Sequence, residues 1–437
     1  MRKKIIDNAI IVTAEKSFSG FIMFDPETGI IEMVEPGRSP AGLSAGCDVE
    51  DAGGAYLLPG VIDPHVHFRD GGDGSPKGDF ESESRAAVAG GVTTVFDMPN
   101  TTPPTVTIEA LEKKIDAARR KASCDVRFFF GVTNSNLPLL LDADSRYPIA
   151  GAKLFMGSST GNMLVDSDDA ISELFRTYHG VIAVHAEDQS IINANTAAFK
   201  ERTGGKVSVE HHPDLRSEEA CYRCAHRAVA LARATGARLH VCHLSTAREL
   251  ELFTAGDVGD KRVTCETAPH YLLFSRRDYL TRGARVKCNP AIKEETDREA
   301  LARAVVNGVI DVIATDHAPH LLSDKQGDAL TAMSGMPGVQ FSLPLMMDFA
   351  AERSMPLSRL VRLMCYNPAK IFSLADRGDL RRGLRADLVM VRRLPVPHVI
   401  DDSDVVSKCG WTPYSGLSTG HEVVATWVNG DERFRKS

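Results

Sequence analysis

At 437 residues with a formal net charge of −7, the chain is long enough for a large barrel with an accessory domain and too acidic for a general nucleic-acid binder. Hydrophobic residues at 43% and charged residues at 25% fit a water-soluble globular protein, and no run approaches the roughly 18 apolar residues of a membrane span. Nine scattered cysteines, an odd number, suit reduced thiols in the cytoplasm better than a disulfide framework.

The first ten residues are basic but hold no long apolar core, so no signal peptide is expected. Up to about residue 57, Ile5–Thr13, Gly20–Phe24 and Ile30–Val34 read as strands, punctuated by Asp25-Pro26 and Glu35-Pro36-Gly37. Strand signals return at Asp387–Arg392 and Glu422–Val428, followed by an Asn429-Gly430 turn. The two ends are expected to meet in one small composite β-sandwich domain, residues 1–57 plus 383–437. Residues 58–382 form the catalytic domain between them.

That central stretch has another rhythm. Strand-like segments at Gly60–His65, Thr93–Pro99, Val126–Val132, Ala152–Met156, Val181–His185, Leu239–His243, Val263–Glu266 and Val309–Thr315 alternate with helix-like spacers such as Ile108–Lys121, Asp168–Tyr178, Ser217–Thr235 and Asp297–Asn307. Eight such units predict an α/β fold, a (β/α)8 TIM barrel, with catalytic groups at the C-terminal strand ends. Cys221 and Cys224 fall within one of the helical spacers without a second pair nearby, which argues against a structural zinc there.

Polar residues gather at the strand ends. The first gives His65 and His67, which an extended chain points the same way. Arg69 shares that side if the chain stays extended. The second runs into Asn100, the fourth carries Lys153, the fifth ends at His185, the sixth at His243 and the eighth at Asp316. Singly, each is an ordinary core histidine or capping aspartate. Together, four imidazoles and a carboxylate at one barrel end suit zinc or a similar divalent ion, and they exceed what one ion needs.

A second ion requires a bridging anion. An ammonium has no lone pair to offer, but a neutral lysine amine reacts with carbon dioxide to give a carbamate, a two-oxygen ligand of charge −1. The alternative for Lys153 is a buried lysine paired with an acid. A dinuclear site holds a hydroxide at neutral pH and polarises a carbonyl, with Asp316 placed to take the proton and pass it to a leaving nitrogen. Two dications against carbamate, Asp316 and hydroxide leave about +1, which suits an anionic substrate. Arg69 offers a bidentate fork for a carboxylate, its alternative being a surface salt bridge.

With these residues in place, nearly the whole chain resembles the dihydroorotases of the amidohydrolase superfamily. The most specific stretches are His-Val-His-Phe-Arg-Asp (65–70), Gly-Gly-Val-Thr-Thr-Val-Phe-Asp-Met-Pro-Asn-Thr (90–101), Ala-Thr-Asp-His-Ala-Pro-His (314–320) and the tail phrase Tyr-Asn-Pro-Ala-Lys-Ile-Phe (366–372). The resemblance implies reversible cyclisation of N-carbamoyl-L-aspartate to L-dihydroorotate, a step of pyrimidine synthesis, in the cytoplasm. It implies one Zn2+ on His65, His67 and Asp316, a second on His185 and His243, and a carboxylated Lys153 between them. Arg69, Asn100 and His320 would hold the ring carboxylate, and Asn289 would approach the ring. Partners would be the small-molecule substrate, with no nucleic acid or membrane, and a homodimer is compatible.

Two departures stand out. Many bacterial relatives bridge their metals with an aspartate, whereas Lys-Leu-Phe-Met-Gly-Ser-Ser-Thr-Gly (153–161) puts this chain on the lysine side. Gly71-Gly72 replaces a common Pro-Gly and removes no ligand. His211 and His212 match no motif position and read as loop residues, while alternation turns His317 away from the metals. Leu321 to Pro337, long, polar and glycine-rich, reads either as a mobile cover that closes over the ring or as a surface loop with no role. Allantoinases, hydantoinases and dihydropyrimidinases would share the ligands, so Arg69, Asn100 and His320 are the discriminators. An inactive scaffold relative should have lost ligands, and none is missing here.

Overall fold

The computed structural model describes residues 2–156 and 163–436, so residues 157–161 of the lysine phrase lie outside the described residues. The amino-terminal strands are β1 (Lys4–Val12), β2 (Ser17–Asp25), β3 (Ile30–Pro36), β4 (Asp48–Asp51) and β5 (Tyr56–Pro59). The barrel strands follow: β6 (Val61–Val66), β7 (Val92–Asp97), β8 (Asp125–Gly131), β9 (Gly151–Phe155), β10 (Val181–His185), β11 (Arg238–Val241), β12 (Val263–Thr267) and β13 (Val312–Ile313). The chain closes with β14 (Leu388–Val399), β15 (Ser418–Val428) and β16 (Asp431–Arg435).

Both chain ends share one mixed sheet in the order β16-β15-β14-β5-β1-β2-β3, with β4 on β1. The join lies at β5, parallel to β1 on one side and antiparallel to β14 on the other, where Leu57 faces Met390. Alternation sorts the side chains. Ile22 and Phe24 share a buried cluster with Leu57, Leu388 and Trp427, while Phe21 and Met23 pack on the other face with Ile5. Asn429 and Gly430, at φ 52° and 83°, make the β15–β16 turn, in the left-handed conformation that hairpins with this dipeptide favour.

Strands β6 to β13 form a parallel sheet in sequential order. The helical spacers appear as expected, with conventional ends. Ser217 caps Glu218–Thr235 through its hydroxyl on the Ala220 N–H, and Gly236, at φ 73°, stops it. Cys221 and Cys224 are buried free thiols on this helix. No helix among the described residues is long and apolar enough to cross a membrane.

The same period of two decides which residues face the barrel interior. Phe128 and Phe130 join the large cluster with the helices, while Phe129 joins a smaller one with Ile62, Phe96, Val181, Ala183 and Val312. On β10, Ile182 and Val184 face the helices, so His185 follows Val181 and Ala183 inward. Lys153, between Ala152 and Leu154, also faces in, as do His240 beside Leu239 and Val241 and Glu266 beside Cys265. On β6, a register shift between Asp63 and Val66 interrupts strict alternation around His65, just ahead of His67.

The barrel is closed between first and last strands by side chains as much as by backbone. Val66 bridges to His317, and the His67 N–H donates to the His317 carbonyl at 2.7 Å. Asp63 accepts from the Thr315 N–H at 3.0 Å and its hydroxyl at 2.5 Å. Burial pushes this carboxyl up to about 6 even against those bonds. Beneath β6, the Lys114 ammonium meets Asp97 at 2.5 Å with both side chains buried, and Asp97 accepts from the Phe68 N–H at 2.8 Å. Removing one partner of such a pair would leave a buried charge unmatched, so it fixes the segment carrying His67 and Arg69.

Candidate metal centre and active site

His65, His67, Arg69, Asn100, Lys153, His185, His243, Asn289 and Asp316 line one cavity at the C-terminal end of the barrel, with Phe155, Ala318, Ser334 and Gly335. Every ligand position expected from the sequence is on this wall. Three of the residues, Arg69, His243 and Asp316, have φ of 65°, 38° and 47°. Non-glycine residues rarely take this left-handed region, and such strain is usually held in place where function requires an aimed side chain.

The ligands expected from the sequence form two groups. In the first, Nε2 of His65 and Nε2 of His67 stand 3.3 and 3.1 Å from Asp316 Oδ1, and ligand atoms of all three residues lie within 4.8 Å of one another. In the second, His185 Nδ1 stands 3.0 Å from His243 Nε2 with their rings edge to face. Lys153, fully buried, has its Nζ 3.0 Å from Cys242 Sγ.

Protonation states suit metal binding. Burial pushes the His67 imidazole down to about 3 and lowers His185 and His243 as well, so these rings are neutral at pH 7 and can offer a lone pair. Burial also pushes Asp316 up, but His65, His67 and His243 hold its carboxyl well below the usual range. His65 is the exception: burial and Lys153 push it down, yet Glu266 and Asp316 outweigh them and raise it to about 10. An imidazole between two carboxylates favours a cation at Nε2, whether a proton or a metal ion. His243 Nδ1 is buried with no hydrogen-bond partner among the described residues. The donor set therefore fits divalent ions, with His65, His67 and Asp316 as one ligand group and His185 and His243 as another.

The residues expected to bind substrate divide into two kinds. Arg69 donates through Nη2 to His320 Nε2 at 3.1 Å and through Nε to the Pro319 carbonyl at 3.3 Å. Among the described residues it makes no ion pair, and burial pushes it down to about 10. Asn100 has another task as well, since its Oδ1 accepts from His67 Nδ1 at 2.7 Å. His320 is buried behind Arg69, with Lys77 Nζ 3.0 Å from its Nδ1. Asn289 lines the cavity beside Ser334 and Gly335.

Several partners escaped the motif reading. Glu266 Oε1 accepts from His65 Nδ1 at 2.5 Å, and its Oε2 lies 3.1 Å from His240 Nε2. Glu187 Oε2 accepts from His185 Nε2 at 2.9 Å and pairs with Arg216. Inward alternation on β12 and the His-x-Glu step after β10 were the available signals. His212, expected to be a loop residue, opens the short helix His212–Leu215 and is buried, with Nε2 3.1 Å from Asn289 Oδ1 and 2.9 Å from the Cys288 carbonyl. His317 does turn away, to Glu83 at 2.8 Å.

The 321–337 segment, read as a mobile cover or a surface loop, is tied down. The buried Lys325 ammonium donates to the carbonyls of Lys287, Met333 and Gly335 at 2.9, 2.7 and 2.8 Å, which uses all three of its hydrogens. Met336 and His317 form a backbone bridge. Ser334 and Gly335 thereby stand as a fixed wall of the cavity. The composition that suggested mobility instead supplies backbone acceptors for one buried charge.

The comparisons with known proteins agree with this geometry. The model of the amidohydrolase family matches residues 56–433. A dihydroorotase from Methanosarcina mazei is 35% identical over 381 residues, 84% of this chain and 82% of that protein. An allantoinase from Bacillus velezensis is 33% identical over 392 residues, 87% of this chain and 84% of that protein. The solved L-hydantoinase (dihydropyrimidinase) from Arthrobacter aurescens superposes with a TM-score of 0.90 at 29% identity, covering 99% of this chain and 96% of that one. An eight-stranded barrel with histidines and an aspartate at its C-terminal end, matched along most of its length by such relatives, makes this chain a member of the amidohydrolase family and a cyclic amide hydrolase.

Proposed function

We propose that the protein is a dihydroorotase, interconverting L-dihydroorotate and N-carbamoyl-L-aspartate in the cytoplasm as a step of pyrimidine synthesis. Arg69 is the observation that carries this assignment. Its guanidinium lines the cavity without an ion pair among the described residues, against a neutral imidazole and a carbonyl. A ring carboxylate would satisfy it with two parallel hydrogen bonds, whereas a neutral ring would leave a desolvated cation unmatched. The similarity to dihydroorotases supports the assignment, while the similarity to an allantoinase and a hydantoinase makes the carboxylate the point to test.

Two zinc ions would be held by His65, His67 and Asp316 on one side and His185 and His243 on the other, with Lys153 converted to a carbamate between them. The amine and carbon dioxide form a C–N bond with release of one proton. The ions would supply Lewis acidity and lower the pKa of a water molecule toward neutrality. The chain does the rest. Arg69 and Asn289 orient the ring, and the wall of Ser334 and Gly335 limits water around it. A carboxylate oxygen of Asp316 takes the proton of the attacking water and delivers it to the ring nitrogen as the amide C–N bond breaks. In ring closure the same proton travels back. The division of the chain at 57/58 and 382/383 into composite β domain and catalytic barrel belongs to the same proposal.

Arg69→Met is expected to weaken dihydroorotate binding by about 2–5 kcal/mol, with some loss of rate because remote contacts also orient the ring. Metal content should not change, because arginine is not a ligand. Steady-state kinetics alongside metal analysis check this. Wild-type KM in Arg69→Met would remove the carboxylate assignment.

A further inference from the structure

Three of the four candidate ligand histidines have their second ring nitrogen held by an acceptor, and the acceptors differ. His67 is held by the amide oxygen of Asn100. His65 and His185 are held by carboxylates, and in opposite senses. His65 gives Nδ1 to Glu266 at 2.5 Å, which leaves Nε2 facing Asp316. His185 gives Nε2 to Glu187 at 2.9 Å, which leaves Nδ1 facing His243. Glu266 and Glu187 can only accept, so the nitrogen bonded to each carries the hydrogen, and the opposite nitrogen, which for His65 points at the candidate ligand Asp316, is the one a metal can take.

We propose that Glu266 and Glu187 are positioning residues for two separate ions, each selecting which nitrogen its histidine presents and raising that ring's basicity. This rests on the metal reading given above. Each glutamate is itself fixed. Glu266 lies between His65 and His240, and His240 Nδ1 in turn reaches Thr264 Oγ1 at 2.8 Å, so a chain of side chains from β11 and β12 ends on a ligand delivered by β6. Glu187 is locked by Arg216 from outside the barrel strands. Both carboxylates are fully buried. No side chain in the chemistry described above uses either, and a buried carboxylate is costly to keep without a task. Among the described residues no hydrogen bond or ion pair joins the two glutamates, so each should act on its own ion.

The experiment is a titration of the full chain, stripped of metal and supplied with bicarbonate, with Zn2+ against a chromophoric chelator. Wild-type protein should take up two equivalents. Glu266→Gln, which keeps the shape and loses the charge, should weaken one equivalent by about 10–100-fold, and Glu187→Gln should do the same to one. The double variant should weaken both, since the glutamates serve different ions. The thermal midpoints of the stripped proteins separate this from unfolding. Should Glu266→Gln not fold, His240→Gln leaves the carboxylate in place but removes its far anchor, and should weaken one equivalent by a smaller factor. Unchanged affinities in stably folded variants overturn the proposal, as does a double variant that weakens only one equivalent. Wild-type protein that takes up no Zn2+ overturns the metal reading itself, and this inference with it.

Discussion

Asp316→Asn should lower turnover on the order of 10²–10⁴-fold while dihydroorotate still binds. The physical reason is a separation of tasks within one side chain. Asp316 Oδ1 lies 3.3 and 3.1 Å from His65 and His67, so it belongs to their ligand group, and asparagine retains an oxygen there. What asparagine lacks is a basic oxygen. Against the cost of burial, the surrounding imidazoles keep the Asp316 carboxyl ionised at neutral pH, so that an unprotonated acceptor oxygen is present. The substitution should also leave Arg69 in place, since Arg69 is held by His320 and the Pro319 carbonyl. Single-turnover kinetics, a binding titration and metal analysis on the same preparation check the expectation. Wild-type turnover in Asp316→Asn would remove its role in proton transfer.

Lys153→Ala should lose at least one of two metal equivalents, with turnover falling by about 10³-fold, the equivalent of several kcal/mol of transition-state stabilisation. Lys153 faces inward between Ala152 and Leu154, is fully buried and lines the cavity with all the candidate ligands. Among the described residues its Nζ meets a thiol rather than a carboxylate, so the alternative of a buried lysine–acid pair finds no support there. The His185–His243 group contains no carboxylate, and an anion from Lys153 would complete it. A short carboxylic acid added from solution should restore part of the activity of Lys153→Ala by occupying the same space. Wild-type protein with one tightly bound ion and an unmodified Lys153 would contradict this account.

Much of the candidate site was legible because a parallel barrel delivers its functional groups by simple rules. Strand periodicity turned His185 and Lys153 toward the barrel interior, where the structure has them, since each sits on an otherwise regular strand whose neighbours face the helices. Arg69 was placed in the cavity by a weaker argument. It was expected to share the histidines' side if the chain stayed extended, but its φ is 65°, and it reaches the cavity by leaving the strand. The eighth strand, expected over Val309–Thr315, is only Val312–Ile313, because Thr315 and Asp316 turn off the ladder to meet Asp63 and the histidines.

What periodicity did not reveal are contacts across the fold. His65 and Glu266 are 201 positions apart, and His212 and Asn289 are 77 apart. No local pattern ties such pairs, although alternation on β12 was a signal from which Glu266 could have been read as an inward carboxylate. Lys325 misled for another reason. Its neighbours Ser323, Asp324, Gln326 and Gly327 resemble a solvated loop, yet one ammonium among three carbonyls turns that loop inward.

The central claim is that this cyclic amide hydrolase has a site built for a ring that bears a carboxylate. Turnover of dihydroorotate, dihydrouracil, hydantoin and allantoin by the same zinc-loaded preparation measures it most directly. The account predicts kcat/KM for dihydroorotate above the three rings without a carboxylate by about 10²-fold or more, because only that substrate satisfies Arg69. Rapid turnover of allantoin or dihydrouracil with none of dihydroorotate would contradict it.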